Sequence, residues 1–362
     1  MTKKEMQGAS EAAGAQERAG EEERGRIRTK RLSDSPEDLR AAARIIADGG
    51  LVAFPTETVY GLGADALNPE AVKKIYEVKG RPADNPSIVH IAKNEDLPKL
   101  TTEVTRDMEI LRDRFWPGPM TMITKRRPII PDVTTGGLDT VGIRMPESRI
   151  ARELIEQSGC AIAAPSANLS GKPSPTEARH VLHDLDGRID AVIDGGPCRV
   201  GIESTVIDMT EETPMILRPG ILTREDFEEA LGKPVLLDPS LNARPDHGAA
   251  KKLKPRAPGM KYKHYAPDAK MILFEGEPSA VAEEIERERR DLEKQGLSVM
   301  VIEFTEAQEK EAAHEIFRRL RQADEEGDDV ILAAALPEEG VGFSVMNRML
   351  KSAGFNIRKV EK

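Results

Sequence analysis

The sequence predicts an α/β protein made of one large unit followed by a smaller one, and three observations carry that expectation. Short apolar runs alternate with amphipathic helical stretches along most of the chain, and several of those stretches carry explicit start and stop residues. A Pro, Gly and Lys/Arg-rich stretch without helical or strand period then divides the alternation in two. A chain of 362 residues can bury more than one domain's core.

Residues 1–30 mix Glu, Lys, Arg, Gly and Ala with almost no large apolar side chains, too few to offset the entropy of ordering, and read as a flexible tail. The first firm element is SPEDLRAAARIIADGG, with Ser35 as cap, Pro36 opening the helix, and Gly49 and Gly50 as its stop. The strand LVAF follows. NPEAVKKIYEVKG repeats the device with Asn68, Pro69 and Gly80, and SIVHI is the next strand. The apolar runs TMI, VGIRM, AIAAP, AVIDGG, STVIDM and MILRPG then interleave with helices such as SRIARELIEQSG and TEARHVLHDL, giving one unit over residues 31–236.

Residues 237–268 read as a linker, longer than most and therefore expected to be functional or disordered. Residues 269–362 alternate again: MILFEG, a helix over 278–295, LSVMVIEF, a helix through 322, DDVILAAAL and GFSVMNRMLKSAG predict a small parallel sheet. This small unit carries about 21 acidic against about 14 basic side chains, so the net charge of −10 says little about the large unit's partners. The acidity argues against a whole surface built for nucleic acid, although a local basic cleft stays compatible with it. No apolar run reaches the length of a membrane-spanning helix, and Cys160 and Cys198 form neither a disulfide framework nor a metal-spacing pattern, so the expected address is cytoplasmic.

The chemistry sits where polar residues interrupt strands. Lys79, Arg81, Asn85 and His90 fall close together, two cations and two neutral hydrogen-bonding groups suited to an anion such as a phosphate. An isolated Lys-x-Arg would more simply be a solvated loop pair. Arg144 and Arg218, however, lie within apolar runs, where an unpaired guanidinium is costly; Arg144 could instead pair with Glu147. APSANLSG places Ser166, Asn168, Ser170 and Gly171 after a strand, at the kind of strand end where α/β sheets bind ligands, though turn chemistry explains them equally well. Thr56, Glu57 and Thr58 before VYGLG, and Glu203, Ser204 and Thr205 before VIDM, could line a pocket for a small polar molecule or simply open strands. His90 alone would be a packed core histidine. There is no Walker A sequence, no dinucleotide fingerprint and no nucleophile elbow.

Taken in order, P-T-E-T-V-Y-G-L, K-x-R with its downstream D-N-P and H, I-R after Gly142, P-S-A-N, E-S-T, L-R-P-G, the linker P-G-M-K-Y-K-H-Y-A-P and N-R-M-L-K-S-A resemble the YrdC-domain family, specifically its two-domain threonylcarbamoyl-adenylate synthases. The resemblance spans residues 30–362. It implies a twisted mixed α+β sheet of YrdC type, followed by a smaller Rossmann-like α/β domain. It also implies the condensation of L-threonine, bicarbonate and ATP to threonylcarbamoyl-adenylate and pyrophosphate, the product passing to a tRNA threonylcarbamoyl transferase, with direct tRNA binding not required. By motif position, Lys79 and Arg81 would face bicarbonate and phosphates, and Thr58, His90, Arg144, Ala164 and Ser204 would hold threonine. Arg81, Asn85, Thr140, Ser166, Asn168, Ser174, Arg218, Arg256, Tyr262 and His264 would hold ATP, with Mg2+ bound through its phosphates and not in a protein cage. The linker, with Tyr265 beside these, would fold over the site as a lid. A second reading is an RNA-binding protein using the basic cleft, against which the 4% aromatic content counts. A third, a carbamoyl-transfer relative, lacks the accessory cysteine modules expected of it.

Overall fold

The computed structural model describes residues 28–241, 257 and 264–361. Residues 1–27 of the expected tail, Arg256, Tyr262 and most of the expected linker lie outside these. Among the described residues, eleven strands form one mixed sheet: β1 (Lys30–Leu32), β2 (Val52–Pro55), β3 (Tyr60–Asp65), β4 (Ile88–His90), β5 (Met120–Lys125), β6 (Thr140–Arg144), β7 (Ile162–Ala163), β8 (Ala191–Ile193), β9 (Thr205–Asp208), β10 (Met215–Arg218) and β11 (Leu236–Leu237), in the order β1-β8-β2-β3-β7-β4-β6-β5-β9-β10-β11. Its helices are α1 (Pro36–Ala47), α2 (Pro69–Lys79), α3 (Arg106–Phe115), α4 (Arg149–Ser158), α5 (Ala178–Leu185) and α6 (Arg224–Leu231), besides two four-residue turns of helix.

The caps act as their residue types dictate. The Ser35 hydroxyl accepts from the Asp38 amide at 3.2 Å and Pro36 opens α1, while the Asn68 side chain accepts from the Glu70 and Ala71 amides and Gly80 ends α2 in the left-handed region at φ 60°. Two features differ from the sequence expectation. The strand β1 precedes the first predicted helix and pairs with β8 in parallel, a three-residue strand too short to show a period. The helix α3, capped by Thr105, buries only Met108 and Leu111 among charged residues, so its apolar stripe is faint.

The smaller sheet is all parallel, in the order β13 (Val299–Ile302), β14 (Val330–Ala334), β12 (Lys270–Glu275), β15 (Ile357–Lys359), with helices α7 (Pro278–Lys294), α8 (Glu309–Glu326) and α9 (Gly340–Ser352). Both faces of β12 are covered, as a parallel strand requires. Ile272 and Phe274 pack with Val281 and Ile285 of α7, while Met271 and Leu273 point into a cluster formed by α8 and α9.

That second cluster does not stop at the small unit. Ile316, Phe317, Leu320 and Met346 pack with Val59, Val200 and Ile202 of the large unit, and Tyr265 stacks on Phe317 with ring centroids 5.0 Å apart. Gly201 meets the helix α8 so closely that a Cβ there would lie 2.4 Å from the His314 carbonyl, and its φ of 86° also favours glycine. One apolar core thus joins the two sheets. Phe317→Ala removes a fully buried ring from it and is expected to cost about 3–5 kcal/mol. Denaturation followed by circular dichroism and by the fluorescence of Trp116, in the large unit, is expected to show one shared transition shifted downwards; two separated transitions would contradict the shared core.

Candidate active site

Strand ends and the loops beyond them converge on one cleft. The strands β4 and β6 run parallel with His90 opposite Arg144, so the polar residues ending two separate apolar runs become neighbours. The strand β7 lies antiparallel between β3 and β4, and the chain leaving it, residues 164–174, turns across their ends. From the other side, β9 and β10 bring Glu203, Ser204 and Arg218, while the end of α2 brings Lys79 and then Arg81. With His264 and Tyr265 these groups line a cleft of about 700 Å³, counted with its open mouth.

Arg144 is 4% exposed, and three of its five N–H groups meet acceptors. Its guanidinium donates to Glu57 Oε1 at 2.6 Å, to Thr58 Oγ1 at 3.0 Å and to the Gly118 carbonyl at 3.3 Å. The turn carrying Glu57 and Thr58 is itself fixed by Thr56, whose hydroxyl donates to the Val59 carbonyl at 2.7 Å and accepts from the Thr58 and Val59 amides. The partner of Arg144 is therefore Glu57, correcting the Glu147 alternative. Glu147 pairs with Arg199 instead, and its amide donates to the other oxygen of Glu57.

Lys79 is buried to 2% exposure, yet no carboxylate among the described residues pairs with it: its ammonium donates to the Ser166 and Asn168 carbonyls and so ties α2 to the 164–174 turn. Burial, then the charge of Arg81, pushes its pKa well below the ordinary lysine value. Asn168 braces the same turn, its Nδ2 donating to the Leu169 and Lys172 carbonyls at 2.8 and 2.9 Å. Arg81 donates to the Asn85 and Pro86 carbonyls at 3.3 and 2.9 Å. Among the described residues, neither Lys79 nor Arg81 has a carboxylate within ion-pair distance, and neither does Arg218. Arg218 donates to the Ser204 carbonyl at 2.9 Å and to its hydroxyl at 3.1 Å; burial lowers its pKa to about 10.

Of the residues expected from sequence, Lys79, Arg81, Thr58, His90, Arg144, Ala164, Ser166, Asn168, Ser174, Arg218 and His264 line the cleft. Ser204, Asn85 and Thr140 do not. The Ser204 hydroxyl is turned to Thr121 and Arg218, and Asn85 presents its backbone carbonyl to Arg81 and Tyr76 while its side chain is buried. Thr140 opens β6, at the opposite end of that strand from Arg144. From the sequence, two carboxylates read only as pocket-lining or strand-opening residues: Glu57, which stands behind Arg144, and Glu203, on the wall itself. Glu203 accepts from the Ser174 hydroxyl at 2.6 Å and from Arg348 of α9 at 3.2 Å. Arg348 stands in the apolar run SVMNRML, the same signal that singles out Arg144 and Arg218.

The arrangement suits a ligand with two anionic ends: a fork held by Glu57 on one side, and cations held mainly by carbonyls on the other. His90 supplies a neutral group between them. Its Nδ1 is buried without a hydrogen-bond partner, and burial, then Arg144, lower its pKa to about 3. No cluster of three or more His, Cys, Asp or Glu able to hold a metal occurs among the described residues, and no helix there is long and apolar enough to cross a membrane.

Residues 44–220 match the family model described as telomere recombination, and residues 222–354 match that of the threonylcarbamoyl-AMP synthase C-terminal domain. The threonylcarbamoyl-AMP synthase of Pyrococcus abyssi is 48% identical over 332 residues, covering 89% of this chain and 96% of that protein. The synthase of Bacillus subtilis is 44% identical over 340 residues, covering 90% and 96%. The crystal structure of P. abyssi Sua5 complexed with L-threonine aligns with a TM-score of 0.85 at 46% identity, covering 92% of this chain and all of that one.

The depressed pKa of His90 has a consequence for stability. Unfolding restores a value near 6.5, so the unfolded chain binds the extra proton below that pH. The contribution is therefore present above pH 6.5 and is lost as pH falls towards 3. Between pH 7 and 5 the wild type is expected to lose about 2 kcal/mol more stability than His90→Gln, read from urea midpoints at each pH. Parallel losses in both proteins would contradict a neutral, buried His90.

Proposed function

The chain belongs to the two-domain threonylcarbamoyl-AMP synthase family, and on that premise we propose that its cleft condenses L-threonine, bicarbonate and ATP to threonylcarbamoyl-AMP and pyrophosphate. The observation that carries the site assignment is the juxtaposition of the Arg144 fork with Lys79 and Arg81, neither of which has a carboxylate within ion-pair distance among the described residues. Threonine's carboxylate would take the remaining N–H groups of Arg144, with Thr58, His90 and the backbone at Ala164 around the rest of the amino acid. Ser204 would serve the site at one remove, by fixing Arg218.

The chemistry then follows from charge. Threonine's neutral amine adds to the carbon of bicarbonate, giving a carbamate with loss of water, or to the CO2 in equilibrium with it, giving the carbamate with release of a proton. A carbamate oxygen attacks the α-phosphorus of ATP, the bond to the β-phosphate oxygen breaks, and pyrophosphate leaves. Both steps concentrate negative charge, and preorganised cations in a partly dry cleft stabilise it without a covalent enzyme intermediate. Lys79 and Arg81 would meet the bicarbonate and phosphates, and Ser166, Asn168, Ser174, Arg218 and His264 would surround the nucleotide. Asn85 would support that side by orienting Arg81 through its carbonyl. Mg2+ would be held by the phosphates, because Glu203, the carboxylate on the wall, is already occupied by Ser174 and Arg348; the ion would supply neutralisation of the polyphosphate charge.

From the linker side, the described residues His264 and Tyr265 would cover the cleft. Both already line it, and the Ala266 amide donates to the Gly171 carbonyl at 2.8 Å. The product is a mixed anhydride sensitive to water, which favours a cover during reaction and direct delivery to a tRNA-modifying transferase in the same, cytoplasmic, compartment.

The purified chain is expected to release pyrophosphate from ATP only when threonine and bicarbonate are both present; failure of threonine to stimulate release would overturn the reading. Arg144→Met is expected to raise the threonine KM by at least about 30-fold, the loss of a buried charge contact, with ATP binding changed far less. An unchanged threonine KM would remove Arg144 from the carboxylate's site.

A further inference from the structure

Among the described residues, Glu203 is the sole carboxylate lining the cleft, and it stands where the functional reading puts a polyanion. An ionised carboxylate on such a wall would repel phosphates. The small unit supplies the compensation: Arg348, with no exposed surface, donates to Glu203 Oε2 through Nε and through one terminal nitrogen, both at 3.2 Å, and to the carbonyls of Pro219 and Ser344. Arg218 and Lys351 also act on the same carboxylate. Glu203 in turn orients Ser174, whose hydroxyl it accepts at 2.6 Å. Burial opposes ionisation of Glu203, but Arg348, Arg218 and Ser174 outweigh it and hold the carboxyl below the usual range.

We propose that Arg348 is a positioning residue for the nucleotide side of the cleft, neutralising Glu203 from the small unit so that the carboxylate can hold Ser174 without repelling the triphosphate. The proposal rests on the synthase reading given above. It gives the small unit a part in ligand binding as well as in packing, through a side chain that does not itself line the cleft. Its neighbour in this arrangement is Arg321 of α8, which grips Asp184 with two bonds of 3.1 and 2.8 Å and the Pro173 carbonyl at 2.6 Å, one residue before Ser174.

The two possible roles of Arg348, charge compensation and simple packing, respond differently to a second substitution. ATP binding is measured calorimetrically on the full chain for wild type, Arg348→Met, Arg348→Lys, Glu203→Gln and the double variant Arg348→Met/Glu203→Gln, with thermal melts of each. Arg348→Met is expected to weaken ATP by about 30-fold or more, and Arg348→Lys to recover part of that. The double variant is expected to return to within about 3-fold of wild type, because the amide keeps an acceptor for Ser174 and carries no charge. An Arg348→Met chain that melts as a folded protein and binds ATP as wild type does, or a double variant no better than Arg348→Met, overturns the proposal. Should Arg348→Met fail to fold, tighter ATP binding by Glu203→Gln than by wild type supports compensation, and weaker binding overturns it. Absence of ATP binding by the wild-type chain overturns the synthase reading, and this inference with it.

Discussion

A guanidinium taken out of water must be met by acceptors, and among the described residues four are buried in or behind the cleft: Arg144, Arg218, Arg321 and Arg348. They do so in different ways. Arg144 is matched by Glu57, Thr58 and one carbonyl, Arg321 by Asp184 and two carbonyls, Arg348 by Glu203 and two carbonyls, and Arg218 by the carbonyl and hydroxyl of one serine, with no carboxylate at ion-pair distance among the described residues. Breaking such a set exposes an uncompensated charge, so the acceptors are fixed wherever the arginines are. The turn at residues 56–58, the end of β10 and the packing of α8 and α9 on the large unit all follow from that requirement.

The same constraint divides the cleft. On the Arg144 side the charge is balanced by a carboxylate and the fork is held in one orientation, which suits a single planar anion of fixed pose. On the Lys79 and Arg81 side, carbonyl oxygens accept the hydrogen bonds but cancel no formal charge, which suits a flexible, multiply charged ligand. Between the two lies His90, neutral because burial and Arg144 make its protonation costly. Ion-pair accounting and ligand preference are thus one arrangement seen from two sides.

Much of this was legible before any coordinates. Ser35, Asn68 and Gly80 mark helix ends through local chemistry alone, and Arg144 and Arg218 stand out because charged residues seldom interrupt strands without cause. The alternation after residue 269 announced a parallel sheet. What the sequence hid depends on distant pairing. The partner of Arg144 lies 87 positions away in a turn that reads as an ordinary strand start, whereas Glu147 is near in sequence but faces Arg199. Arg348 carried the same signal as Arg144, yet its object, Glu203, is 145 positions away on the other unit. Short elements such as β1 and β15 have too few residues to show a period, and Ser204 and Asn85 look like wall residues until the bonds they make to Arg218 and Arg81 are known.

The central claim is that one cleft holds threonine and ATP at once, with the amino acid on the Glu57-backed fork and the phosphates on the uncompensated cations. A crystal structure of the full chain with L-threonine and a non-hydrolysable ATP analogue tests it most directly. The account predicts the threonine carboxylate on Arg144 and the α-phosphate beside Lys79 and Arg81, within reach of a carbamate built on the threonine nitrogen. Threonine bound away from Arg144, or a triphosphate lying outside the wall formed by Lys79, Arg81 and Arg218, would contradict it.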